Sequence, residues 1–138
     1  MLPEASSLGR SIHMLNVAII GAGRMGAVHA GALKLIDDVK LLGVYDPSKE
    51  AVKSFTAKFG VRKIYRSVAE LAKDKSLDGV LVCNYSDQHC LTMLELLDAG
   101  KKSIFCEKAL VRNLPDGERL LKRAKKAERD GLRRECLS

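Results

Sequence analysis

Six consecutive residues, Gly21-Ala22-Gly23-Arg24-Met25-Gly26, have the types and the spacing to hold a phosphorylated ligand against bare backbone. The pattern is G-x-G-x-x-G, and each glycine has its own reason. Gly21 permits a tight turn off a strand. Gly23 carries no side chain to keep a pyrophosphate away from the backbone. Gly26 lets the following helix pack close to the strand. The start of such a helix offers unpaired N–H groups and the positive end of the helix dipole. Asp46 stands 20 residues beyond Gly26, where an acid accepts hydrogen bonds from the hydroxyls of an adenosine ribose. The pair of features points to a bound dinucleotide. Asp46 favours NAD, because a carboxylate repels a 2′-phosphate. Lys49 follows closely enough to soften that repulsion, so NADP stays open.

This chemistry needs a strand before the glycines and a helix after them. Residues 15–20 (LNVAII) form a short apolar run suited to a buried strand, and residues 24–35 carry Met25, Val28 and Leu33 near helical spacing, with Ile36 beyond. Residues 39–45 read as a second strand, closed by Asp46-Pro47-Ser48. Ser48 can cap a helix that runs to about Phe59 and stops at Gly60. A third strand is expected at 61–65. Ser67 and Glu70 have capping-box spacing and begin a short helix through Ala72. Strands at 79–83 and 103–106 flank a helix over 87–99. The last helix spans 114–129, with Leu120, Leu121, Ala124 and Ala127 inward. The alternation predicts an α/β fold of Rossmann type, a doubly wound parallel sheet covered on both faces. Residues 1–13 read as a flexible leader, 14–130 as one nucleotide-binding domain, and 131–138 as a charged tail unlike a strand.

Composition narrows the functional classes. A chain of 138 residues has the size of one domain. Aromatics are only 4% of it, which disfavours nucleic-acid binding by base stacking. The net charge of +7 is concentrated in the last helix, where a solvated basic face explains it most simply. No apolar run approaches the ~20 residues that span a bilayer. Cys83, Cys90, Cys106 and Cys136 form no CxxC pair, so a reduced, cytoplasmic chain without a metal site is expected. Cys83 and Cys106 read as small buried strand residues, and His29 as a packed or surface histidine.

The run GAGRMGAVHAGAL, from Gly21 to Leu33, resembles the start of the Gfo/Idh/MocA oxidoreductases, which include glucose-fructose oxidoreductase and inositol dehydrogenase. Asn84-Tyr85-Ser86-Asp87-Gln88-His89 is similar to that family's segment after the fourth strand, usually Thr-Pro, a few variable residues, then His. Cys106-Glu107-Lys108-Ala109-Leu110 is similar to its Glu-Lys-Pro motif, with Gly100-Lys101 before it. Two positions depart from the pattern: Ala109 replaces the proline, and Asn84-Tyr85 replaces Thr-Pro.

The resemblance implies the roles of particular residues. Gly21, Gly23, Arg24, Met25 and Gly26 would form the phosphate loop, and Asp46 would bind the adenosine ribose. Asn84 and His89 would line the nicotinamide-side ribose, although His89 also reads as a plain helix-start residue. Glu107 and Lys108 would lie beside the nicotinamide. Lys108 would be the catalytic residue, a cation that favours the alkoxide as hydride leaves a sugar or polyol. In that family a second domain supplies the substrate pocket and most of the contacts of the oligomer. This sequence shows no match to that domain, so an incomplete enzyme is expected, one that needs a second domain to hold its small-molecule substrate. The alternatives are a non-catalytic NAD(P)-sensing or protein-interaction module, which could form a homo-oligomer, and a nucleic-acid-associated protein using the basic last helix.

Overall fold

The elements follow one another as strand and helix in turn. A computed structural model describes residues 14–84, 88–101, 103–106, 114–129 and 135–137. The expected leader at 1–13 and the site residues Glu107 and Lys108 lie outside the described residues. β1 (Leu15–Ile20) leads through the glycine loop into α1 (Arg24–Leu33), and β2 (Val39–Tyr45) into α2 (Lys49–Phe59). Ser48 caps α2 by accepting the Ala51 N–H at 3.2 Å. β3 (Lys63–Ile64) precedes α3 (Val68–Ala72), whose cap Ser67 accepts the Glu70 N–H. The Glu70 carboxylate reaches back to the Arg66 N–H at 2.6 Å, which completes a box around the helix start. β4 (Gly79–Val82), α4 (His89–Asp98), β5 (Ser103–Cys106), α5 (Leu114–Arg129) and β6 (Glu135–Leu137) follow.

The strands make one parallel sheet in the order β3-β2-β1-β4-β5-β6. Strand order reverses direction between β1 and β4, so a crevice opens there at the C-terminal strand ends. The sixth strand corrects the reading of residues 131–138 as a charged tail. Glu135, Cys136 and Leu137 pair with Ser103, Ile104 and Phe105. A three-residue edge strand is held by its backbone ladder, so it can form without the apolar run that marks a buried strand.

The crossovers decide where the core lies. Those from β1 to β2 and from β2 to β3 place α1 and α2 on one face, where Val52 and Phe55 of α2 join Ile19 and Val44 of the sheet in one cluster. The crossovers after β3 and after β4 place α3 and α4 on the other, over Ile20, Val80, Val82 and Ile104. β4 and β5 are therefore not covered equally on both faces, as their apolar runs suggested. Val80, Val82, Ile104 and Cys106 are buried, whereas Leu81 and Phe105 are half-buried. His29 of α1 meets the Phe105 ring edge-on, with centroids 5.4 Å apart, and is a packed histidine.

Two helices turn differently from their apolar spacing. In α1 the residues against the sheet are Gly26 and Ala30, while Val28 is 57% exposed. The close approach of α1 to β1 leaves room only for small residues. In α5 Leu121 is 55% exposed, and Arg123 instead turns to α4 and pairs with Asp98.

A polar knot ties the N-terminal edge of β4 and β5 to β3. Asp74 Oδ2 accepts from the Tyr65 hydroxyl and from Lys63 Nζ, each at 2.6 Å, and Oδ1 accepts from the Ser76 N–H and hydroxyl. Its backbone carbonyl accepts from Nζ of buried Lys101 at 2.6 Å. Burial pulls the Lys101 pKa down, and the nearby carboxylates of Asp74 and Asp78 resist that shift. Burial alone would raise the Asp74 carboxyl, but hydrogen bonds from Lys63, Ser76 and Tyr65 outweigh it and hold it well below the usual carboxylate range. A carboxyl depressed in the folded state adds stability that is complete above its unfolded pKa, about 3.9, and is lost as pH falls below that toward the folded value. Asp74→Ala is expected to cost about 2 kcal/mol at pH 7, chiefly by leaving the part-buried Tyr65 hydroxyl without its acceptor. Between pH 5 and pH 3 the variant should lose less further stability than the parent. Urea denaturation followed by circular dichroism at the two pH values measures both effects.

Candidate functional site

The chain leaves β1 at Gly21 with φ at 109°, a conformation that side chains rarely adopt. A Cβ there would stand 2.6 Å from the Cys83 carbonyl carbon and 2.8 Å from the Asn84 nitrogen. Gly21 thus lets the end of β1 lie against the end of β4, at the crevice. Its N–H donates to the Tyr45 carbonyl at 2.8 Å, which fixes the turn to the end of β2.

Asp46 secures the next residue. Its Oδ2 accepts the Ala22 N–H at 2.8 Å, and its Oδ1 accepts the Ser48 N–H at 2.8 Å. One carboxylate therefore joins the glycine loop to the start of α2. Each oxygen keeps a further lone pair for a ligand hydroxyl.

Gly23 precedes the first turn of α1, and its carbonyl accepts the Ala27 N–H at 3.0 Å. No side chain caps this helix start, and no acid stands in its first turn. A helix start without a cap presents free amides and a partial positive charge. A Cβ on Gly23 would meet nothing within 4 Å, so open space lies before these amides. Gly26 is the opposite case, because a Cβ there would fall 1.9 Å from the Gly21 carbonyl oxygen. Arg24 and Met25 are exposed at the mouth of this space. A loop open at Gly23 and closed at Gly26 fits a pyrophosphate laid across the helix start.

On the β4 side, Asn84 donates from Nδ2 to Thr92 Oγ1 at 2.9 Å, and Thr92 is buried on α4. Spacing had not singled out Thr92, although eight residues separate it from Asn84 across a helix start. His89 is the first residue of α4, with its side chain outside the described set. The structure thus brings Gly21, Gly23, Gly26, Asp46 and Asn84 to one edge of the sheet, with Arg24 and Met25 beside them. Among the described residues, Asp46 also lines a hollow of about 650 Å³, together with Pro47, Lys49, Lys53 and Arg66. Lys53 follows Lys49 by one helical turn, a signal that reading the sequence for the loop alone passes over. A second hollow, of about 830 Å³, lies at the opposite edge, among Lys73, Lys75, Asp78, Glu95 and Lys101.

Known proteins share this architecture. A family model described as "Oxidoreductase family, NAD-binding Rossmann fold" matches residues 15–130. A myo-inositol 2-dehydrogenase of Thermotoga maritima is 38% identical over 114 residues, which are 83% of this chain and 34% of that protein. A glucose-6-phosphate 3-dehydrogenase of Bacillus subtilis is 36% identical over 104 residues, 75% of this chain and 28% of that protein. Among solved structures, a myo-inositol dehydrogenase of Lactobacillus casei in complex with NAD(H) and myo-inositol superposes with a TM-score of 0.78 at 29% identity. That match covers 82% of this chain and 34% of the other. The chain spans about a third of the length of the curated relatives it matches. No helix among the described residues is long and apolar enough to cross a membrane. The match over residues 15–130 means that the chain belongs to the GFO_IDH_MocA oxidoreductase family, as an NAD-binding Rossmann domain.

Proposed function

We propose that this chain is the cofactor-holding part of an oxidoreductase that takes hydride from a secondary hydroxyl of a sugar or polyol. The observation that carries the reading is the start of α1, uncapped and with open space before Gly23. The relatives named for inositol and sugar-phosphate oxidation support the substrate class.

The amides at the start of α1 hold the pyrophosphate. Asp46 keeps its bonds to Ala22 and Ser48 and accepts the adenosine ribose hydroxyls on its remaining lone pairs. Asn84, held by Thr92, lines the nicotinamide-side ribose, and His89 begins the helix beside it. When bound, NAD accepts the hydride. Lys108 follows β5 by two residues in the sequence, and its cation would favour the alkoxide form of the substrate hydroxyl; the resemblance assigns Glu107, the residue before it, to the nicotinamide side as well. The substrate pocket belongs to a further domain of the working enzyme, and the chain alone binds cofactor with little turnover.

Titration with NADH, followed by nicotinamide fluorescence, tests this reading. Saturable binding is expected, weakened about tenfold or more in Asp46→Ala through loss of a charged hydrogen-bond acceptor. A chain that is folded by circular dichroism and shows no saturation contradicts it.

A further inference from the structure

Among the described residues, Lys101 is the one charged side chain that is buried, at 9% exposure. It belongs to the wall of the hollow of about 830 Å³ at the edge of the sheet opposite the glycine loop. Its Nζ donates to the Asp74 carbonyl at 2.6 Å. The residues on either side of Asp74, Lys73 and Lys75, also line the hollow, so the amine ends at its wall. An ammonium carries three donors, and among the described residues one of them has an acceptor. Burial lowers the pKa of this amine, against the opposing pull of Asp74 and Asp78. The neutral form, with its free lone pair, is therefore a larger fraction here than in an exposed lysine. The rest of the hollow suits a small acyl group. Ala69, Ala72 and Leu77 give it an apolar side with room for a methyl. Of its three acids, Asp98 is engaged by Arg123, Asp78 accepts the Asn16 N–H, and Glu95 stands on α4. Lys73 and Lys75 follow α3 and make no ion pair with another described residue.

We propose that Lys101 is an acylation site, and that the hollow beside it takes a small acyl phosphate as the donor. The neutral amine attacks the acyl carbonyl carbon and an N–C bond forms. The bond from that carbon to the phosphate oxygen breaks, inorganic phosphate leaves, and the amine's surplus proton passes to solvent. Lys73 and Lys75 hold the phosphate as point charges. The product is an amide with a single N–H, which keeps the bond to the Asp74 carbonyl. The buried charge is gone, and its desolvation cost with it. None of this depends on what the glycine loop binds.

The test is a time course of the full chain with acetyl phosphate at mildly alkaline pH, read lysine by lysine by peptide mass spectrometry. Lys101 should be acetylated about threefold or more faster than the exposed Lys40 and Lys53, as expected for a desolvated amine. The preference should vanish in urea, and the acetylated chain should stay folded by circular dichroism. The double variant Lys73→Gln/Lys75→Gln, checked for folding in the same way, should slow Lys101 by about threefold or more with acetyl phosphate, through loss of two charge contacts. With an uncharged acetyl ester the same variant should react at Lys101 as the parent does. Lys101 reacting no faster than Lys40 and Lys53 overturns the proposal, because burial then only shields it. A preference that persists in urea also overturns it, since the hollow then has no part. Equal slowing with both donors removes the phosphate seat and overturns the assignment of an acyl phosphate.

Discussion

A Gly26→Ala chain is expected to lose about 3 kcal/mol or more of stability, the upper end of what overpacking costs. The added methyl carbon would stand 1.9 Å from the Gly21 carbonyl oxygen. That neighbour is backbone, so no side chain can swing aside. Gly21 is itself pinned, by its N–H on the Tyr45 carbonyl and by its contact with the end of β4. Relief therefore requires α1 to lift off β1, which would open the core around Ile19 and Ala30. Thermal or urea denaturation measures the loss. Gly23→Ala is the control. Its backbone conformation suits any residue, and its added carbon meets nothing within 4 Å. Its stability should be unchanged or higher by about 0.5 kcal/mol, through a less flexible unfolded chain.

The second large effect is on binding. Gly23→Trp should leave the fold intact and weaken NADH on the order of a hundredfold, the loss of one or two charge-assisted hydrogen bonds at about 1.5–3 kcal/mol each. An indole at this position occupies the open space before the amides of α1. Those amides have no side-chain cap, so blocking them removes contact with the ligand and disturbs no bond within the protein. Fluorescence titration beside a denaturation curve separates the two quantities. Similar affinity in the variant would mean that the ligand does not cross Gly23.

Much of this was legible in the sequence, because local chemistry fixes it. The turn at Gly21 and the caps at Ser48 and Ser67 depend on neighbours within a few residues, and they appear where the residue types indicate. Long-range packing was harder to read. Val28 and Leu121 have helical spacing yet face outward, because closeness to the sheet in α1 and the Arg123–Asp98 pair in α5 decide which side turns in. The sixth strand was missed for a similar reason. A short edge strand is held by backbone groups, which every residue carries. At the site, Asp46 was placed by its distance from Gly26, but its bond to the Ala22 N–H joins residues 24 apart and leaves no mark in either one. Arg66 joins Lys49 and Lys53 only because β3 runs beside β2.

The most direct test of the central claim is an amide-resolved NMR titration of the chain with NAD. The account predicts that the largest shifts fall on the N–H groups of Gly21 to Gly26, Asp46 and Asn84, at the C-terminal edge of the sheet. Little should change around Lys73, Glu95 and Lys101, which line the larger hollow at the opposite edge. Shifts concentrated at that opposite edge, with the glycine loop unmoved, would contradict the account.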